Sequence, residues 1–70
     1  MLTSSEKIRI LLKRKDMTAG ELAEATGQTR QNLSNKMQRD NFTEKDLHTI
    51  AKALGCVCKI AFVDEDGEEL

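Results

Sequence analysis

Apolar residues fall along this chain in four short blocks at helical spacing, followed by one block that alternates. The first block sets Ile8, Leu11 and Leu12 against Lys7, Arg9, Lys13 and Arg14, the pattern of an amphipathic helix. Thr3-Ser4-Ser5-Glu6 precedes it with the spacing of a capping box. There the threonine oxygen accepts from a first-turn amide and the glutamate reaches back. Lys13-Arg14-Lys15 suits the negative pole at the far end of the same helix. The predicted helix covers about residues 4–15. Thr18-Ala19-Gly20-Glu21 repeats the box, with Met17 and Leu22 at the spacing of a hydrophobic staple. Gly27 then offers a left-handed stop to a second helix of about residues 18–26.

The third block is thin. Thr29 can cap a helix of about residues 29–39, but its only apolar residues are Leu33 and Met37, four apart on one face. The fourth is clean. Thr43 caps it, Phe42 and Leu47 form another staple, and Leu47, Ile50, Ala51 and Leu54 make a core face that Gly55 ends, giving about residues 43–54. After Gly55 the period becomes two. Cys56, Cys58, Ile60 and Phe62 fall on one side, and Val57, Lys59, Ala61 and Val63 on the other, so residues 56–63 read as a β-strand. Asp66-Gly67 can turn the chain, and residues 64–70 read as a frayed acidic tail.

Seventy residues allow one small domain and little depth for a substrate pocket, so an enzyme is not expected. Charged residues are 33% of the chain, hydrophobic ones 39%, and no run is long enough for a membrane span. Met1-Leu2-Thr3-Ser4-Ser5 is not a basic-then-apolar leader, and the two thiols suit a reducing cytoplasm. The net charge of −1 conceals an uneven layout. Residues 64–70 hold five acids and no base, while the first 63 carry 11 bases and seven acids, a net of +4. A basic body is compatible with nucleic acid. His48, Cys56 and Cys58 match no common zinc spacing and lack a fourth ligand, so neither metal nor cofactor is expected. The thiols read as small apolar packing residues.

The third helix spends its length on polar residues. With Leu33 and Met37 turned inward, Gln31, Asn35 and Gln38 cluster on the opposite side at about 100° per residue. Their amides pair a donor with an acceptor, the pattern adenine displays in the major groove. Arg30 at the helix start can reach a guanine or a phosphate, and Asn32 and Arg39 lie on the flank where phosphates would run. Ala23 is small where the next helix must come close, and Gly27 makes the turn between the two.

Met17-Thr18-x-x-Glu21-Leu22-Ala23-Glu24-x-x-Gly27-x-Thr29-Arg30-Gln31-Asn32-Leu33-Ser34-Asn35, continued by Leu47, Ile50, Ala51, Leu54 and Gly55, resembles the phage-repressor-like helix-turn-helix family, the Cro/C1 or XRE type. With the first helix, the resemblance covers about three quarters of the chain. It implies a mainly α, compact four-helix, lambda-repressor-like DNA-binding domain over residues 1–55, here followed by a C-terminal β-strand. It implies base reading by Arg30, Gln31 and Asn35. Backbone contacts would come from Gln28, Gln38, Arg39 and Asn41, with Thr29 capping the reading helix and Asn32 and Lys36 beside it. Where the family often has Gln at the start of the second helix, to meet a phosphate, this chain has Ala19.

The expected protein is a cytoplasmic, bacterial or phage transcriptional regulator, a repressor by default, acting on a pseudo-palindromic double-stranded DNA operator. One reading helix offers few base contacts, so a homodimer is expected, joined by the strand through Val57, Cys58, Ile60 and Phe62. No small-molecule effector is indicated. The alternative is a protein-interaction module on the same fold, such as an antitoxin or a mobile-element control protein, in which the polar helix is only solvated.

Overall fold

The computed structural model describes residues 1–70 and contains four helices: α1 (Ser4–Arg14), α2 (Ala19–Ala25), α3 (Arg30–Arg39) and α4 (Glu44–Ala53). Each starts on a threonine. Thr3, Thr18 and Thr43 form complete capping boxes with Glu6, Glu21 and Asp46. Thr29 Oγ1 accepts from the Asn32 N–H at 3.0 Å, but an asparagine in that place does not reach back, so α3 has half a box.

The helix ends are equally uniform. In each, one residue in the left-handed region follows the helix, and the next N–H returns to a carbonyl five residues earlier. The pairs are Met17 to Leu12 (2.9 Å), Gln28 to Ala23 (3.0 Å), Asn41 to Lys36 (3.0 Å) and Cys56 to Ala51 (2.8 Å). Gly27 and Gly55 take that position without steric cost (φ 69°). Asp16 and Asp40 take it at φ 52° and 51°. For Asp40 the reason is visible: its carboxylate accepts from both the Ser5 N–H (2.8 Å) and the Ser5 Oγ–H (3.0 Å). Ser5 is the one buried polar residue, and its hydroxyl also lies 2.6 Å from the Met37 carbonyl. The end of α3 therefore caps the start of α1 with a full charge, where the helix dipole favours it.

Ile8, Leu12, Leu22, Ala23, Leu33, Met37, Ile50 and Leu54 form the core, with Leu11, Met17, Phe42, Leu47, Ala53 and Cys56 packed around it. Leu22 and Leu33 are the most deeply buried large side chains, and Ala23 is 1% exposed. The helix-turn-helix pair thus supplies the centre of the core and the rest closes over it.

Two C-terminal expectations are corrected. Residues 56–63 form no β-strand. Residues 57–61 exchange no backbone–backbone hydrogen bond, and the one pairing is an isolated antiparallel bridge between Val63 and Glu69. The alternation is real, but four helices present no sheet edge for it to join. Residues 64–70 are not frayed either. The Asp64 carboxylate accepts from the Asp66 and Glu68 N–H groups (3.0 and 2.8 Å), and the Leu70 N–H reaches the Phe62 carbonyl at 2.8 Å. Gly67 at φ 83° completes a small hairpin-like turn.

Candidate nucleic-acid interface

The turn between α2 and α3 is held by a relay of side chains. The Thr26 hydroxyl bonds back to the Leu22 carbonyl (2.8 Å), the Gln28 amide donates to Thr26 Oγ1 (2.8 Å), and the Asn32 amide donates to Gln28 Oε1 (3.2 Å). Gln28 is half-buried and both ends of its amide are engaged, so its first task is to fix the angle between the two helices. Asn32 is exposed but shares that task.

On the outward side of α3, Arg30, Gln31, Asn35, Gln38 and Arg39 are all exposed, opposite buried Leu33 and Met37. Gln31 Nε2 donates to Asn35 Oδ1 at 3.1 Å. That bond leaves Gln31 Oε1 as an acceptor and the Asn35 NH₂ as a donor, still free on neighbouring turns. Gln31 and Asn35, two of the three expected readers, therefore form one preordered polar unit. Arg30 lies elsewhere: its Cδ and Nε come within 3.8 Å of the point a Cβ on Gly20 would occupy, so its side chain lies back across the first turn of α2.

The remaining residues divide. Thr29 is occupied as the cap of α3. Asn41 is exposed, with its N–H closing that helix. Lys36 is half-buried and its Nζ lies 3.0 Å from Asp46 Oδ1, so its charge is answered by α4. Val57, Ile60 and Phe62 stand exposed, Phe62 by 76%, while Cys58 is half-buried. His48 lies 3.4 Å from Glu44, one turn back on α4, and no three His, Cys, Asp or Glu side chains gather as metal ligands.

Three carboxylates are held below their ordinary pKa. Glu6 and Glu21 are lowered chiefly by the N–H groups of Thr3 and Thr18 that they accept from. Asp46 is lowered first by the Thr43 N–H and then by Lys36. Each stays ionised at the positive pole of its own helix.

Sequence reasoning missed four participants. Asp40 belongs to no motif in the sequence and Ser5 only to a capping box; nothing local marks a bond between residues 35 apart. Asp46 completes the Thr43 capping box, and its other oxygen reaches Lys36 on α3. Arg9 had been a solvated face residue, yet it lines a groove beside α3.

Two short helices meeting at a buried alanine across a left-handed glycine, with the second turning a polar face to solvent, define a helix-turn-helix module. The chain belongs to the Cro/C1-type helix-turn-helix DNA-binding domain family, whose model matches residues 7–58. No curated protein and no solved structure gives a significant match. No helix is long and apolar enough to cross a membrane.

Proposed function

We propose that the protein is a sequence-specific, double-stranded DNA-binding transcriptional repressor that lays α3 in the major groove and acts as a homodimer. The observation that carries this reading is the outward face of α3. A ten-residue helix buries only Leu33 and Met37 and leaves Gln31, Asn35, Gln38 and Arg39 in solvent. Gln31 and Asn35 meet base edges, with Arg30 at the first turn within reach of a guanine or a phosphate. Gln38, Arg39 and Asn41 follow the phosphates, while Thr29, Gln28, Asn32 and Lys36 hold the helix at its angle beside them. Val57, Cys58, Ile60 and Phe62 supply the dimer contact, since a lone module makes too few base contacts to discriminate well. The setting is the cytoplasm of a bacterium or its phage.

The exposed apolar arm favours one competing reading, a module that binds another protein. Salt separates the two. Binding through several phosphates weakens steeply between roughly 50 and 200 mM salt, and an apolar interface does not.

Selection of bound sequences from a random duplex pool tests the proposal. A palindromic consensus is the expected output, and recovery of no consensus overturns it. On the selected site, Gln31→Ala is expected to lose about 1–3 kcal/mol of discrimination at one base pair of each half-site.

A further inference from the structure

Arg9 belongs to α1, outside the helix-turn-helix pair, yet the fold carries it to the edge of the reading helix. A groove of about 420 Å³ lies between α1, the start of α2 and the flank of α3. Core side chains make its floor, and its rim carries Arg9, Ala19, Arg30, Ser34 and Gln38. Arg30 lies back over Gly20 toward this groove and not off the tip of α3. Neither guanidinium has a carboxylate within ion-pair distance. The chain's two ion pairs, Lys36–Asp46 and His48–Glu44, are elsewhere.

Two positive groups lining one concavity repel each other, and no ion pair in the chain relieves them, Glu6 one turn before Arg9 acting only at longer range. An anion between them would. Guanidinium groups suit oxyanions with paired oxygens, and phosphate is the one such group that a helix seated in the major groove meets on its flank. Ala19 contributes no polar group on that side, so the arginines stand where a backbone contact is otherwise missing.

We infer that Arg9 and Arg30 together bind one phosphodiester group of the DNA backbone in this groove, making Arg9 a DNA contact contributed from outside the helix-turn-helix. The site rests on the reading of α3 as the recognition helix. Of the two partners open to Arg30, it takes the phosphate.

Salt titration and ethylation interference on the duplex selected from the random pool test the site in the full chain. Arg9→Gln is expected to weaken binding about tenfold on every sequence and to make the log–log salt slope shallower by about one. Base preference stays as in the parent, and one phosphate per half-site stops responding to ethylation. Arg30→Gln, across the same groove, is expected to repeat the loss and to silence ethylation at the same phosphate. It therefore decides the matter even if Arg9→Gln folds poorly. Parent-like affinity, slope and ethylation pattern in both variants, alongside weakened binding by Arg39→Ala, would overturn the site and leave the recognition helix standing. A parent protein that binds no duplex would overturn both.

Discussion

The helical body, Ser4 to Gly55, and the arm beyond it treat their apolar residues in opposite ways. In the body, Ile8, Leu12, Leu22, Leu33, Met37, Ile50 and Leu54 are all less than a tenth exposed, and every helix is closed at both ends by hydrogen bonds. In the arm, Val57, Ile60, Phe62, Val63 and Leu70 are five of the eight large apolar side chains left in solvent. Both regions have a regular hydrophobic period. The difference lies in where each period finds its complement. Helical periods complement one another inside this chain, whereas a strand period needs an edge that four helices do not provide.

The sharpest way to break that comparison is to make the same kind of deletion in each region. Leu22 is 0% exposed, and Leu22→Ala is expected to cost about 2–5 kcal/mol. That is a large share of what a domain of this size has, at roughly 0.05–0.15 kcal/mol per residue. Phe62→Ala removes a larger side chain but one already in water, so in dilute solution it should shift stability by less than about 0.5 kcal/mol. Urea unfolding at low protein concentration measures both. Equal losses would mean that the arm packs on its own body.

The next effect concerns association. Ending the chain after Cys56 keeps the N–H that closes α4 and removes every large apolar residue of the arm. The truncated protein is expected to sediment as a monomer and to bind an operator at least tenfold more weakly, with its helical signal unchanged. A persistent dimer would move the interface onto the helices.

Most of the body was legible because its determinants are local. A threonine three residues before an acid, a glycine after the last apolar position and apolar residues spaced four apart each act within one turn. Even the outward polar face of α3 followed from this, since fixing Leu33 and Met37 inward leaves Gln31 and Asn35 no other side. The sequence failed wherever the partner is distant. Alternation at residues 56–63 specifies which side chains share a face and says nothing of whether an edge exists. The bond from Asp40 to Ser5 joins residues with no pattern between them. Arg9 sits at an ordinary solvent position of α1, and only the packing of α1 on α3 reveals its neighbours. Nor did composition disclose that the acids after Val63 would turn on the Asp64 carboxylate.

The Ser5–Asp40 contact is the long-range feature of the body that packing alone does not supply, and the next smaller effect belongs there. Asp40→Ala loses the acceptor of the Ser5 N–H and also strains a left-handed position. Asp40→Gly keeps the backbone geometry and loses only the acceptor. The glycine variant should cost about 1–3 kcal/mol, the price of an unsatisfied, partly buried donor, and the alanine variant somewhat more. Asp40→Asn retains an acceptor in a conformation asparagine tolerates and should cost least. Thermal or urea unfolding of the three ranks them. A glycine variant as stable as the parent would show that the core alone seats α1 against α3.

The smallest effect distinguishes charge from shape at the other junction of α3. One Asp46 oxygen accepts from the Thr43 N–H and the other from Lys36, both at 3.0 Å. These contacts depress its pKa in the folded protein, the backbone N–H contributing most. A depressed carboxylate stabilises the fold at any pH above its ordinary value. That contribution fades as pH falls below about 4 and is lost once the folded-state value is passed. Asp46→Asn keeps the size and an acceptor but not the charge. It should cost about 1 kcal/mol at pH 7, within the range for a helix cap and a partly exposed ion pair. The gap between variant and parent should close as the solution is taken from pH 5 to pH 2.5. A gap that stays constant over that range would mean that Asp46 holds α3 to α4 by its shape. In that case Lys36, no longer needed to answer Asp46, would be as free as Arg39 to meet a phosphate.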